Sequence, residues 1–220
     1  MPSRSRIAKS TGGDPQEAWC PTADQRGQWR LWFEMNIDLP NPLCPTKFIP
    51  TELPSGRALN LPHCYPIFPA WTKPTETFLF GGKQLLNHRG VPVFAELYVL
   101  RLLQEHGWEG AWISSFGGRK CMRDMPVDAK LSNRIKLQSD HEEILDKIAP
   151  KGGGCFDVFA WRGDDVLFCE CKRGKRDELQ DTQLRWIDAA LHSKLNNFLV
   201  VQWDIWREAQ SNAREVSPSP

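Results

Sequence analysis

Hydrophobic and polar positions along this chain recur with periods that change from segment to segment. From Trp29 to Leu39 the apolar Trp29, Leu31, Phe33, Met35, Ile37 and Leu39 alternate with Arg30, Glu34, Asn36 and Asp38. Only Trp32 breaks the alternation, which predicts a half-buried strand. Pro40 through Pro74 is proline-rich. Proline fixes φ and lacks a backbone donor, so no helix or central strand is expected there. The apolar residues of this stretch (Phe48, Ile49, Tyr65, Ile67, Phe68 and Trp71) predict an irregular wrap packed on the core, or an arm reaching a second subunit. Gly81-Gly82-Lys83 lacks the upstream spacing of a phosphate loop and reads as a turn.

Val91-Pro92 predicts the start of a helix and Gly107 its end, since proline suits a first turn and glycine a C-terminus. Leu97, Val99, Leu100 and Leu103 make the apolar stripe, with Glu96 on its flank. Ala111–Phe116 reads as a first core strand. Gly117 to Gly154 is an insertion in which Leu131, Ile135 and Leu137 alternate with Lys130, Ser132, Arg134, Lys136 and Gln138. That pattern predicts a strand with one basic face. Ser139-Asp140-His141-Glu142 predicts a capping box for a short helix that stops at Pro150.

Two aromatic-rich apolar runs, Cys155–Trp161 and Val166–Lys172, flank the turn-forming Arg162-Gly163-Asp164-Asp165 and predict a hairpin. Side chains alternate along a strand, so Glu170 and Lys172 share one face while Cys169 and Cys171 share the other. Asp157 lies on the first strand of the same hairpin. Glu178–Leu191 predicts a helix whose apolar face holds Leu179, Trp186, Ile187 and Ala190, with Gln183 among them. A glutamine there needs hydrogen-bond partners, supplied either by a polar site or by a satisfied core amide. Asn197–Trp203 predicts a buried last strand. From the helix that begins at Val91 onward, the core order is helix, strand, strand, strand, helix, strand.

At 220 residues the chain fits one α/β domain with an elaboration. Residues 1–16 and 207–220 are expected as mobile tails, 17–90 as the N-terminal strand and wrap, and 91–206 as a core with the insertion 117–154. A net charge of +1 excludes a globally basic nucleic-acid coat, so nucleic-acid contacts must come from local patches. No apolar run has the length of a membrane span, and the polar, basic N-terminus does not resemble a signal peptide. Seven cysteines without a C-x-x-C pair read as reduced, small apolar fillers, which points to an intracellular protein, cytoplasmic or nucleoid-associated if bacterial. A zinc site from Cys44, His63 and Cys64 fits no usual ligand spacing.

The hairpin carries the candidate chemistry. Asp157 and Glu170 are two carboxylates on neighbouring strands, a donor set for a hard cation such as Mg²⁺, with Mn²⁺ as a substitute. Lys172 beside them can orient a water or stabilise developing charge. The set suits hydrolysis of a phosphodiester. Arg134 and Lys136 in the insertion, with Arg173, Lys175 and Arg176 after the hairpin, are candidate contacts to a DNA backbone.

Asp157, Glu170-Cys171-Lys172 and the following Asp177-x-Leu179-x-x-x-Gln183-x-x-Trp186 resemble the PD-(D/E)XK nucleases, nearest the virus-type replication-repair nuclease (VRR-NUC) domain. The clear resemblance spans roughly the last third of the chain and extends less specifically to Glu96. It departs at Phe156, where the family usually has proline before the aspartate. The resemblance implies a restriction-endonuclease-like α-β-β-β-α-β core with a mixed sheet flanked by helices, and a metal-dependent DNA nuclease. Structure-selective cleavage in repair, recombination or phage-type replication would be its setting. It implies a metal held by Asp157, Glu170, the Cys171 backbone carbonyl and Glu96, with Lys172 and Gln183 completing the site. Standalone members of the family can dimerise, so a homodimer acting on two strands is compatible with it. Two alternatives stay open: a sequence-specific restriction-type endonuclease, and a catalytically silent DNA-binding or scaffold protein.

Overall fold

The computed structural model describes residues 37–75, 82–114, 119–128, 130–149, 155–174 and 177–206. Within them a mixed sheet of eight strands is flanked by helices on both faces. The elements are β1 (Lys47–Glu52), β2 (Ala58–Cys64), β3 (Ile67–Pro69), β4 (Leu86–His88), β5 (Val91–Val93), α1 (Ala95–Gln104), β6 (Glu109–Ser114), β7 (Lys120–Met122), α2 (Ser139–Ile148), β8 (Val158–Arg162), β9 (Asp165–Arg173), α3 (Asp181–His192) and β10 (Phe198–Trp206). The sheet order is β1-β2-β10-β9-β8-β6-β7, with β3 also on β10, while β4 and β5 form a separate ribbon. β10 runs parallel to β9, β2 and β3, and the other pairs in the sheet are antiparallel.

The centre of this sheet is the hairpin of β8 and β9. Arg162 pairs with Asp165 across a two-residue turn in which Gly163 adopts φ +59°, a left-handed conformation that glycine takes without steric cost. Alternate residues of the hairpin serve opposite faces. Val158, Ala160, Leu167 and Cys169 join α1 residues Leu97, Leu100 and Leu103 in one core layer. Phe159, Trp161 and Phe168 join Trp186 and Ile187 of α3, and Leu145 and Ile148 of α2, in the other. α1 lies close on its strands. A Cβ on Gly110 would stand 2.7 Å from the Phe159 carbonyl oxygen and 2.9 Å from Leu100 Cδ1. Only glycine permits that approach.

The order of elements from α1 onward is the one the sequence predicts, with β7 and α2 supplied by the insertion between β6 and β8. Several local expectations are corrected. The proline-rich stretch is not an irregular wrap, because β1, β2 and β3 extend the main sheet. β2 lies between β1 and β10 despite containing Pro62, and its parallel pairing to β10 begins just after that proline, at His63 with Val200. Pro66 then interrupts the edge between β2 and β3, and its carbonyl still accepts the Asp204 N–H at 3.1 Å. Val91-Pro92 belongs to β5 rather than to the helix, which starts at Ala95.

The basic strand expected over 131–138 does not form. Leu131 takes φ +54°, and only Ile135 bridges to Cys121. The helix of the insertion starts after Gln138, which makes no side-chain cap, and the Ser139 hydroxyl bonds Asp140 instead of closing a capping box. The strand expected from Trp29 lies almost entirely outside the described residues; Ile37 to Leu39 within them are not a strand. Cysteines 44, 64, 121, 155, 169 and 171 are all free, with Cys64, Cys121 and Cys169 buried. Among the described residues no helix is long and apolar enough to cross a membrane.

Candidate active site

β8 begins at Val158, paired with Cys169 of β9. Continuing that register by one step puts Asp157 opposite Glu170, where cross-strand side chains share a face. Asp157 thus stands just ahead of β8 rather than on it, fixed by two backbone contacts. Its carbonyl accepts the Ile113 N–H of β6 at 2.8 Å, and its Oδ2 accepts the Cys171 N–H of β9 at 2.8 Å. N–H and C=O of one strand residue lie on the same edge, so the Cys171 carbonyl faces this end of the sheet as well.

Glu170 and Lys172 share a face as the alternation requires, and both are buried, at 2% and 5% exposure. Lys172 Nζ lies 3.1 Å from Glu170 Oε1 and donates to Gln183 Oε1 at 3.1 Å. The Gln183 amide in turn donates to Glu170 Oε1. Gln183 Oε1 also accepts the Gln180 N–H at 2.7 Å, tying the first turn of α3 to the centre of the site. Gln183 therefore serves a polar site, bonded into the Glu170–Lys172 pair, rather than acting as an isolated core amide. Glu170 Oε2 is buried with no hydrogen-bond partner. Such an atom is costly unless something electropositive meets it.

Glu96, in the first turn of α1, is 8% exposed and pairs with Lys83 from the segment ahead of β4. Lys83 also lies over the rings of Phe94 and Trp112. Glu96, Asp157, Glu170, Lys83, Lys172 and Asp177 all line one cavity of about 370 Å³ at this end of the sheet. Burial raises the Asp157 carboxyl from its ordinary 3.8 to about 7, with the Glu96 charge adding to the rise. Burial, then the Asp157 charge, pushes Glu170 up as well. Burial pulls the Lys83 ammonium down, but Glu96 outweighs it and the net shift is upward. Crowded together, these carboxyls resist full ionisation, and a proton or a cation relieves them.

Lys83 is the site residue that sequence reasoning passed over. Its sequence neighbours signal a turn, and nothing local announces the contact with Glu96. Asp177, part of the D-x-L pattern but assigned no role, also reaches the cavity. Arg173 lines the cavity too, with its guanidinium over Trp203 at 5.5 Å. Lys175 and Arg176 lie outside the described residues. Arg134 and Lys136 do not reach this cavity. They line a second one of about 380 Å³ together with Arg119, Lys120 and Glu142.

Oxygen donors fit a hard cation here. Asp157, Glu170 with its unpaired Oε2, and the Cys171 carbonyl could hold one, with Glu96 as a further ligand once parted from Lys83. As the side chains stand, no three His, Cys, Asp or Glu groups among the described residues form a ready coordination set; neither these carboxylates nor Cys44, His63 and Cys64 do so. Comparison of the chain with family models, with curated proteins and with solved structures returns no match in any of the three.

Proposed function

We propose that the protein is a metal-dependent DNA nuclease that hydrolyses phosphodiester bonds, with a restriction-endonuclease-like core of the kind found in PD-(D/E)XK and VRR-NUC nucleases. The observation that carries this reading is the meeting of Asp157, Glu170, Lys172 and Gln183 at one end of the central hairpin, with a buried carboxylate oxygen left unpaired. Asp157, Glu170 and the Cys171 carbonyl would hold Mg²⁺ or Mn²⁺. That ion, when bound, supplies Lewis-acid polarisation of a phosphate oxygen and acidification of a water.

The chain's own groups do the rest. Lys172, held by Gln183, presents an ammonium to charge developing on the phosphate. Burial around Glu170 and Lys172 excludes bulk water, which strengthens that interaction. Arg173, which lines the cavity, and Arg134 and Lys136, which line the second one, would supply sequence-independent backbone attraction. Structure-selective cleavage in repair, recombination or phage-type replication is the setting we favour.

The experiment is a panel of labelled DNAs (single strand, duplex, flap and four-way junction) with Mg²⁺ or Mn²⁺, run beside Asp157→Asn prepared identically. Cleavage by the wild type and its loss in the variant are expected. Binding without cleavage of any substrate under either metal would replace this reading with a silent DNA-binding scaffold.

A further inference from the structure

Lys83 and Lys172 line the same cavity as the carboxylate cluster, but they are held differently. Lys172 is 7% exposed at its side chain and bonded to both Glu170 and Gln183. Lys83 is 43% exposed, and among the described residues its ammonium donates to Glu96, whose side chain is 10% exposed. The Lys83 ammonium also sits 5.6 Å from the Phe94 ring centroid and 5.4 Å from that of Trp112. Two aromatic faces attract a cation without occupying any of its N–H donors.

We propose that Lys83 is the resident counter-ion of this cluster, and that a divalent cation must displace it from Glu96 before the site is complete. The proposal rests on the metal-dependent reading above. Glu96 Oε1 accepts from the Lys83 ammonium, so the lysine and a divalent cation compete for this carboxylate. The exposed side of Lys83 leaves it a path outward, and the aromatic pair keeps it near the cavity once displaced. Lys83 is thus a positioning residue that sets the metal concentration at which the site fills. It also neutralises part of the buried negative charge until then, which explains how Glu96 and Asp157 share one cavity in the absence of metal.

The test uses the full chain without DNA, so that no turnover enters the readout. Melting temperature is followed against increasing Ca²⁺ or Mg²⁺ for the wild type, Lys83→Met, Lys83→Gln and Asp157→Asn. The metal concentration at which stabilisation sets in should fall by a factor of up to about five in Lys83→Met, the worth of one partly exposed ion pair. Lys83→Gln, which keeps a donor for Glu96 but loses the charge, should move in the same direction and decides the matter if the methionine variant does not fold. An unchanged or higher onset concentration in these variants, with the wild type responding and Asp157→Asn not, overturns the role of Lys83 and leaves the metal site standing. A wild type that responds no more than Asp157→Asn overturns the metal site itself, and this role with it.

Discussion

The Cys171 N–H of the central strand donates to Asp157 Oδ2 at 2.8 Å, so the main chain of β9 grips a carboxylate that belongs to the start of β8. A side chain held by the backbone cannot swing away from Glu96 and Glu170 when their charges repel it. The repulsion is retained in the folded state, and the remedies available are a proton or a cation.

The proton makes the first prediction. Between 3.8 and about 7 the folded protein keeps a proton on Asp157 that the unfolded chain has released. The stability from that proton is complete below the lower value and lost as pH rises through the upper one. The metal-free wild type should therefore melt at falling temperature across this window. Asp157→Asn keeps an acceptor for the Cys171 N–H, so it should flatten part of that fall and be at least as stable above it. Mg²⁺ should raise the wild-type melting temperature above the window and scarcely affect the variant. A variant that is strongly destabilised yet still responds fully to Mg²⁺ would make Asp157 a structural hydrogen-bonding group.

Lys172→Ala and Glu170→Gln address chemistry. Each should lower turnover by roughly 10²–10³, the usual cost of removing one preorganised electrostatic group. DNA affinity measured in Ca²⁺ should stay near wild type, because the proposed backbone contacts at Arg134 and Lys136 line the second cavity and neither variant removes Arg173. Wild-type turnover in Lys172→Ala would remove this lysine from the mechanism.

Phe156, directly ahead of Asp157, belongs to an aromatic cluster. It is 2% exposed, with ring centroids 5.3 Å from Phe168, 5.7 Å from Phe198 and 6.2 Å from Trp186. Phe156→Ala should cost about 3–5 kcal/mol in urea unfolding, the range for a large buried ring. Phe156→Leu, which refills part of the space, should cost much less. Near-equal stability of the alanine variant and the wild type would show that the cluster does not anchor Asp157.

Arg134→Glu with Lys136→Glu tests the second cavity, where Arg119 and Lys120 add to the positive charge. DNA affinity should fall. The slope of log affinity against log salt should shrink by about 0.9 for each phosphate that the variant no longer neutralises. An unchanged slope would assign this cavity to solvent.

Gln183 marks how far local pattern reaches into the site. Its place on the apolar stripe of α3 is fixed by helical period, so the sequence alone shows that a polar group faces inward, while its meeting with Lys172 depends on how α3 packs on β9. The hairpin is as legible, since period-two alternation and the Gly163 turn put Glu170 and Lys172 on one face without reference to anything distant. Pairings across the chain were not legible. β2 enters the sheet because β10, more than a hundred residues later, offers it a parallel edge beyond Pro62. The Arg134–Lys136 segment alternates like a strand but has only one bridge, Ile135 with Cys121, and stays irregular. Lys83 and Glu96 meet because β4 and β5 fold the segment back over the start of α1. Residue order determined which side chains face together within each element, because strand and helix periods are properties of the local backbone. Which elements lie side by side, and so which charges share the cavity, was decided by tertiary structure, because those contacts depend on the burial of surfaces distant in the chain.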